Sequence, residues 1–212
     1  MDAKLALIEA GLYLQNNRLA WGTSGNMSVR LDDEQMLLTA SGTKIGELSA
    51  DDLIVSNIYT GAYTGERKAS KETPMHSGIY KKRADVKAVI HSSPFYTTFL
   101  SCTNENIQSN LFIETMYYLE NIAYVEYFHP GTAELGEAIA QKACEVNIIM
   151  MKNHGVVVFD ESLEEAKMRL ETLEMACRMM VEAKASGIPL VGLSEDTVQS
   201  FLNESLYKPR KK

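Results

Sequence analysis

Four histidines, His76, His91, His129 and His154, are all the imidazole this chain has, so a metal centre built from nitrogen ligands would have to draw on them. Two of them hold places from which a side chain can project into a cleft off a rigid support. His91 ends the apolar run at residues 86–90, and His154 lies in Lys152-Asn153-His154-Gly155, a tight turn between apolar runs at 148–151 and 156–159. Glu72 stands in Ser70-Lys71-Glu72-Thr73-Pro74, just ahead of a helix start. A carboxylate there can carry a proton, or can merely face the helix dipole. The loops Thr23-Ser24-Gly25-Asn26 and Thr39-Ala40-Ser41-Gly42-Thr43 combine glycine with small hydroxyl and amide side chains. Such loops let backbone N–H groups cradle a phosphate or carboxylate, and ordinary turns use the same residues. Taken singly, each of these features fits a structural role better than a chemical one.

The elements that must position them follow from hydrophobic period and punctuation. Leu5, Ile8 and Leu12 recur at helical spacing, predicting a helix over 4–15 that feeds the loop Trp21-Gly22-Thr23-Ser24-Gly25-Asn26. Strands are predicted at 27–30, 36–39 and 53–59. Thr73 reads as an N-cap with Pro74 at the first helical position, starting a helix to about residue 83. A strand at 86–90, a short helix at 94–101 and a strand at 122–127 follow. Pro130-Gly131-Thr132 caps a helix to about residue 144. Ser162 with Glu165 forms a capping box for the longest helix, which Gly187 and Pro189 stop. The order suits an α/β fold, a sheet flanked by helices.

Composition narrows the function classes. The chain has 212 residues, 45% apolar and 23% charged, with a formal charge of −7, which describes a mildly acidic protein able to enclose one core, read here as a single domain over 1–212. A phosphate backbone demands a basic surface, so nucleic acid is excluded as a partner. No run approaches the roughly 18 apolar residues of a membrane span, and Asp2, Lys4 and Glu9 interrupt the start, so neither a membrane nor an export signal is expected. Cys102, Cys144 and Cys177 form no CxxC pair and are odd in number, against a disulfide framework and a zinc knuckle. They read as reduced and buried, and the address as cytoplasmic. Lys208, Arg210, Lys211 and Lys212 read as a solvated end.

Taken together, the motifs carry more than each does alone. Thr23-Ser24-Gly25-Asn26-Met27-Ser28-Val29-Arg30, Thr39-Ala40-Ser41-Gly42, Ser70-Lys71-Glu72 followed by Met75-His76, the His91 segment, Pro130-Gly131-Thr132-Ala133-Glu134-Leu135 and Asn153-His154-Gly155 occur in one order over about 130 residues. In that order and approximate spacing the sequence resembles the class II aldolase/adducin family, particularly its aldolases of the L-fuculose 1-phosphate type. The resemblance implies a three-layer α/β/α sandwich with a central, largely antiparallel sheet, assembled as a homotetramer with active sites between subunits. It also implies a lyase of carbohydrate metabolism that cleaves a small ketose phosphate to dihydroxyacetone phosphate and an aldehyde through an enediolate. Glu72 falls at the glutamate that moves the proton. Asn26, Ser41, Gly42 and Ser70 fall at phosphate-holding positions, with Lys71 where serine is common, and Tyr207 in the C-terminal segment is a candidate substrate contact across to a neighbouring subunit.

The metal element departs from the family pattern. Zinc is ordinarily held by three histidines, two of them in a His-x-His element, and this chain reads His91-Ser92-Ser93-Pro94. A neutral serine hydroxyl is a poorer zinc ligand than imidazole. Three readings follow. His91 and His154 hold zinc with a third ligand from Ser93, Glu114 or His129. Alternatively manganese or magnesium replaces zinc, and the chemistry shifts to decarboxylation or epimerisation of a sugar phosphate. In the third reading the metal is lost and the fold serves as a noncatalytic sugar-phosphate-binding or assembly module.

Overall fold

In the computed structural model, which describes residues 2–204 and 207–208, one eight-stranded sheet runs through the molecule. Helix α1 (Ala3–Asn16) is started by Asp2, whose carboxylate accepts from the Lys4 N–H. Strands β1 (Asn26–Arg30), β2 (Gln35–Thr39), β3 (Leu53–Asn57) and β4 (Tyr63–Thr64) form a meander. Then come α2 (Thr73–Lys82), β5 (Ala88–Ser92), α3 (Phe95–Ser101), α4 (Ile113–Tyr118), β6 (Ile122–Val125), α5 (Ala133–Lys142), β7 (Ile148–Met151), β8 (Gly155–Asp160), α6 (Leu163–Ser186) and α7 (Glu195–Asn203). The strand order is β4-β3-β2-β1-β5-β8-β7-β6, antiparallel at every pairing except β6 with β7.

The sheet is covered on both faces, and consecutive apolar residues in β5, β7 and β8 supply side chains to each. Side chains alternate sides with a period of two. Ala88, Ile90, Ile148, Met150, Val156 and Val158 therefore pack in one core with α1 and α6, while Val89, Ile149, Met151, Val157 and Phe159 pack in the other with α2 and α5. This is the expected three-layer sandwich. Arg169 of α6 clasps the carboxylate of Asp160, the last residue of β8, through Nε at 3.0 Å and Nη2 at 2.6 Å, both residues buried.

Several expectations are adjusted. Glu72, not Thr73, occupies the N-cap of α2, so Pro74 is the second helical residue; the Thr73 hydroxyl donates to the Ser70 carbonyl instead. The third strand stops at Asn57, whose side chain accepts from Tyr59 and Thr60 N–H and turns the chain. Helices α4 and α7 and the two-residue strand β4 are additions to the predicted elements. Cys177 is buried as expected, but Cys102 and Cys144 are exposed, because each sits at or just beyond the C-terminal end of a short helix. Lys208 bonds to Glu165, and Arg210, Lys211 and Lys212 lie outside the described residues. Among the described residues no helix is long and apolar enough to cross a membrane.

Candidate metal centre

Register brings the chemistry to one end of the sheet's centre. Asn26 opens β1 and sits opposite His91 near the end of β5, and His91 sits opposite Val157 of β8. His154 precedes β8 in a turn with Asn153 at φ 55° and Gly155 at φ 133°. A Cβ on Gly155 would lie 2.6 Å from the Ser92 carbonyl, so only glycine lets the turn press against β5 and deliver His154 beside His91. Glu72 arrives from the opposite wall as the N-cap of α2.

These three side chains converge. Glu72 Oε2 is 3.3 Å from His91 Nε2, Glu72 Oε1 is 3.3 Å from His154 Nε2, and the two rings stand edge-on with centroids 4.9 Å apart. One donor atom from each lies within 4.8 Å of the others. His91 Nδ1 is 2.9 Å from the Val156 carbonyl, which can only accept, so the ring proton is on Nδ1 and a bare Nε2 faces the carboxylate. Burial pushes the His91 pKa down against the pull of Glu72 and keeps the ring neutral. Burial raises the Glu72 pKa, but His91, His154 and the Asn26 amide outweigh it and hold the acid at about 2.

A lone pair of a neutral ring aimed at an anionic oxygen is a contact without a proton to share. Glu72 Oε1 and His154 Nδ1 are likewise buried with no hydrogen-bond partner among the described residues. A divalent cation fits this donor set, since two imidazoles and a carboxylate each offer one atom within 4.8 Å of the other two.

A cleft of about 400 Å³ opens beside the three, and Asn26, Ser41, Gly42, Ser70, Lys71 and Ser93 all line it. The Asn26 amide donates to Glu72 Oε2 at 2.7 Å and its oxygen faces His76, so one amide hydrogen remains for a ligand. Ser70 Oγ accepts from the Glu72 N–H, and Gly42 adopts φ 72° with open space on its Cβ side. Lys71 is exposed and is the lone lysine or arginine among the described lining residues. The Ser93 hydroxyl donates to the His154 carbonyl at 3.1 Å, so it braces the turn from the position of the missing imidazole.

Other candidates lie elsewhere within this chain. Glu114 is on α4, outside both the cleft and the metal cluster. His129 is bonded to the Tyr127 hydroxyl near the surface. Tyr207 packs edge-on to the buried Tyr117 at 5.6 Å, away from the cleft. Sequence reasoning passed over Trp21, whose indole N–H donates to the Ser93 carbonyl at 2.9 Å at the cleft mouth, and Thr98 on α3. Nothing in a lone tryptophan within a loop signals that place.

The family model described as "Class II Aldolase and Adducin N-terminal domain" matches residues 5–181. The chain belongs to this family. It is 33% identical over 181 residues to a 3-oxo-tetronate 4-phosphate decarboxylase of Haemophilus influenzae, covering 83% of this chain and 85% of that one. It is 32% identical over 179 residues to an L-fuculose phosphate aldolase of Methanocaldococcus jannaschii, covering 84% and 95%. The crystal structure of YgbL from Klebsiella pneumoniae superposes with a TM-score of 0.86 at 29% identity, over 93% of this chain and 96% of that one. Class II aldolase family members are lyases that use a divalent metal, so the match carries both expectations to the chain at that level.

Proposed function

We propose that this chain is a metal-dependent lyase that cleaves a carbon–carbon bond in a small ketose phosphate, releasing dihydroxyacetone phosphate and an aldehyde. The observation that carries the reading is the meeting of Glu72, His91 and His154 at 3.3 Å beside a cleft lined by the glycine and hydroxyl loops. His91 and His154, with Glu72 as the third donor, would hold the cation, zinc in the first instance with manganese or magnesium as alternatives. When bound, it supplies Lewis-acid stabilisation of the negative charge left on an enediolate.

The chain's own residues do the rest. Ser41, Gly42, Ser70, Lys71 and the free Asn26 amide hydrogen hold the phosphate, which fixes the reacting carbon against Glu72. Glu72, anionic at neutral pH, takes the proton from carbon in the condensation direction and returns it in the cleavage direction. Tyr207 reaches a neighbouring subunit's cleft in a homotetramer. A second reading, decarboxylation, is favoured by the Haemophilus influenzae relative. Loss of carbon dioxide from a 3-oxo-tetronate 4-phosphate leaves the same enediolate, protonated to the same dihydroxyacetone phosphate.

The test loads the protein with zinc or manganese and follows dihydroxyacetone phosphate release from a panel of ketose 1-phosphates and from a 3-oxo-tetronate 4-phosphate. Release from a ketose 1-phosphate is expected, with Glu72→Gln slower by about 10²–10⁴-fold. Release from the keto acid alone establishes the second reading, and release from neither sinks both.

Ser93 gives a separate prediction. Ser93→His restores the third imidazole at the mouth of the cluster and is expected to tighten zinc binding roughly ten-fold or more, measured by competition with a chromophoric chelator. Unchanged affinity would mean that position 93 does not face the ion.

A further inference from the structure

Strand and helix periods align a second set of polar groups behind Glu72. Asn26 and Ser28, two apart on β1, point to the same face of the sheet, and Glu72, His76 and Tyr80, four apart along α2, form one stripe that lies against them. His76 Nε2 is 2.5 Å from Asn26 Oδ1, His76 Nδ1 is 2.7 Å from Ser28 Oγ, and Ser28 Oγ is 2.9 Å from the Tyr80 hydroxyl. Asn26, Ser28, His76 and Tyr80 are all buried.

Donor counting fixes the direction of every bond. A carboxylate only accepts, so the Asn26 NH2 must face Glu72 and the Asn26 oxygen must face His76. His76 therefore carries its proton on Nε2. With the ring neutral, Nδ1 is bare and accepts from the Ser28 hydroxyl, which in turn accepts from Tyr80. The ring is fully buried, which disfavours its charged form. The Arg30 guanidinium covers the Tyr80 ring at 4.7 Å and closes the far end.

We infer that His76 is a positioning residue for Glu72. Its Nε2–H tautomer, set from behind by Tyr80 and Ser28, locks the Asn26 amide with its NH2 toward the carboxylate. The opposite tautomer would place a bare nitrogen against Asn26 Oδ1 and release the amide to flip its oxygen toward Glu72, where two acceptors repel. All four bonds run toward the carboxylate, so each strengthens the next. The inference rests on the proposed reading of Glu72 as part of the metal and proton site, and it adds what holds that carboxylate in place.

The experiment joins two measurements on the full chain. Zinc alone is titrated calorimetrically into the parent and into His76→Leu, His76→Gln and Tyr80→Phe, with thermal unfolding of each as a check on folding. His76→Leu is expected to weaken zinc binding by roughly 10–100-fold, the usual range for outer-shell partners of a metal site. His76→Gln, whose amide offers a donor at similar reach, should return to within about three-fold of the parent, and Tyr80→Phe should fall between. Ring-nitrogen chemical shifts of ¹⁵N-histidine-labelled protein should show His76 protonated at Nε2 and His91 at Nδ1. Parent-like zinc affinity in a folded His76→Leu, or a His76 proton on Nδ1, overturns the inference. A parent that takes up no zinc overturns the functional reading alone, and the tautomer then decides the relay. If His76→Leu does not fold, Tyr80→Phe and His76→Gln carry the comparison, and zinc binding at parent strength in Tyr80→Phe with loss in His76→Gln contradicts the relay.

Discussion

Stoichiometric zinc binding is expected to disappear when either imidazole is removed, in His91→Ala and equally in His154→Ala, and turnover on the substrate that the parent cleaves should fall by roughly 10³-fold or more. The size follows from what remains. A carboxylate and a single ring cannot hold a cation against water, and Lewis-acid stabilisation of an enediolate is worth several kcal/mol, at about 1.4 kcal/mol per factor of ten. The two variants should fail alike, because each ring sits 3.3 Å from a different oxygen of the same Glu72 carboxylate. Elemental analysis of dialysed protein beside steady-state kinetics checks the prediction. Full metal content in both variants would place the ion elsewhere.

The second large effect is on stability, at the far end of the same strand. Arg169→Leu leaves the Asp160 carboxylate, 2% exposed, without the guanidinium that neutralises it. Stranding one member of a buried ion pair costs about 3–5 kcal/mol, or roughly 10 °C in the melting temperature of a chain of this size. Denaturant unfolding of the parent and variant reads the loss. The double change Asp160→Leu with Arg169→Leu should recover most of it, since an apolar pair needs no partner. Zinc affinity of the single variant should stay at the parent's value, because Asp160 closes β8 at the end opposite His154.

Much of this architecture was legible because it depends on local rules. Continuous apolar runs marked β5, β7 and β8, and Ser162 with Glu165 marked the start of α6, where the serine does accept the Glu165 N–H at 3.2 Å. His91 and His154 stood out because each abuts an apolar run. The stripe of Glu72, His76 and Tyr80 was not legible, because Glu72 reads as lying ahead of the helix and the meaning of the stripe depends on the register of β1, which only long-range pairing sets. Helix α7 has its apolar residues Val198, Phe201 and Leu202 at helical spacing, but it lies beyond Pro189, where no element is expected. A helix between two strands suits a parallel crossover, and α5 links β6 to β7 in that way, but which strand each lies beside is a tertiary choice that neither segment states.

The indole at the rim has a practical meaning. Trp21 is the chain's single tryptophan, 66% exposed, and its N–H is tied to the backbone of Ser93, the residue standing where a third imidazole would be. Every photon of tryptophan emission from this protein therefore originates at the doorway of the cleft. Occupancy can be followed without a label by tryptophan fluorescence excited beyond the tyrosine absorption, so that the ten tyrosines stay silent.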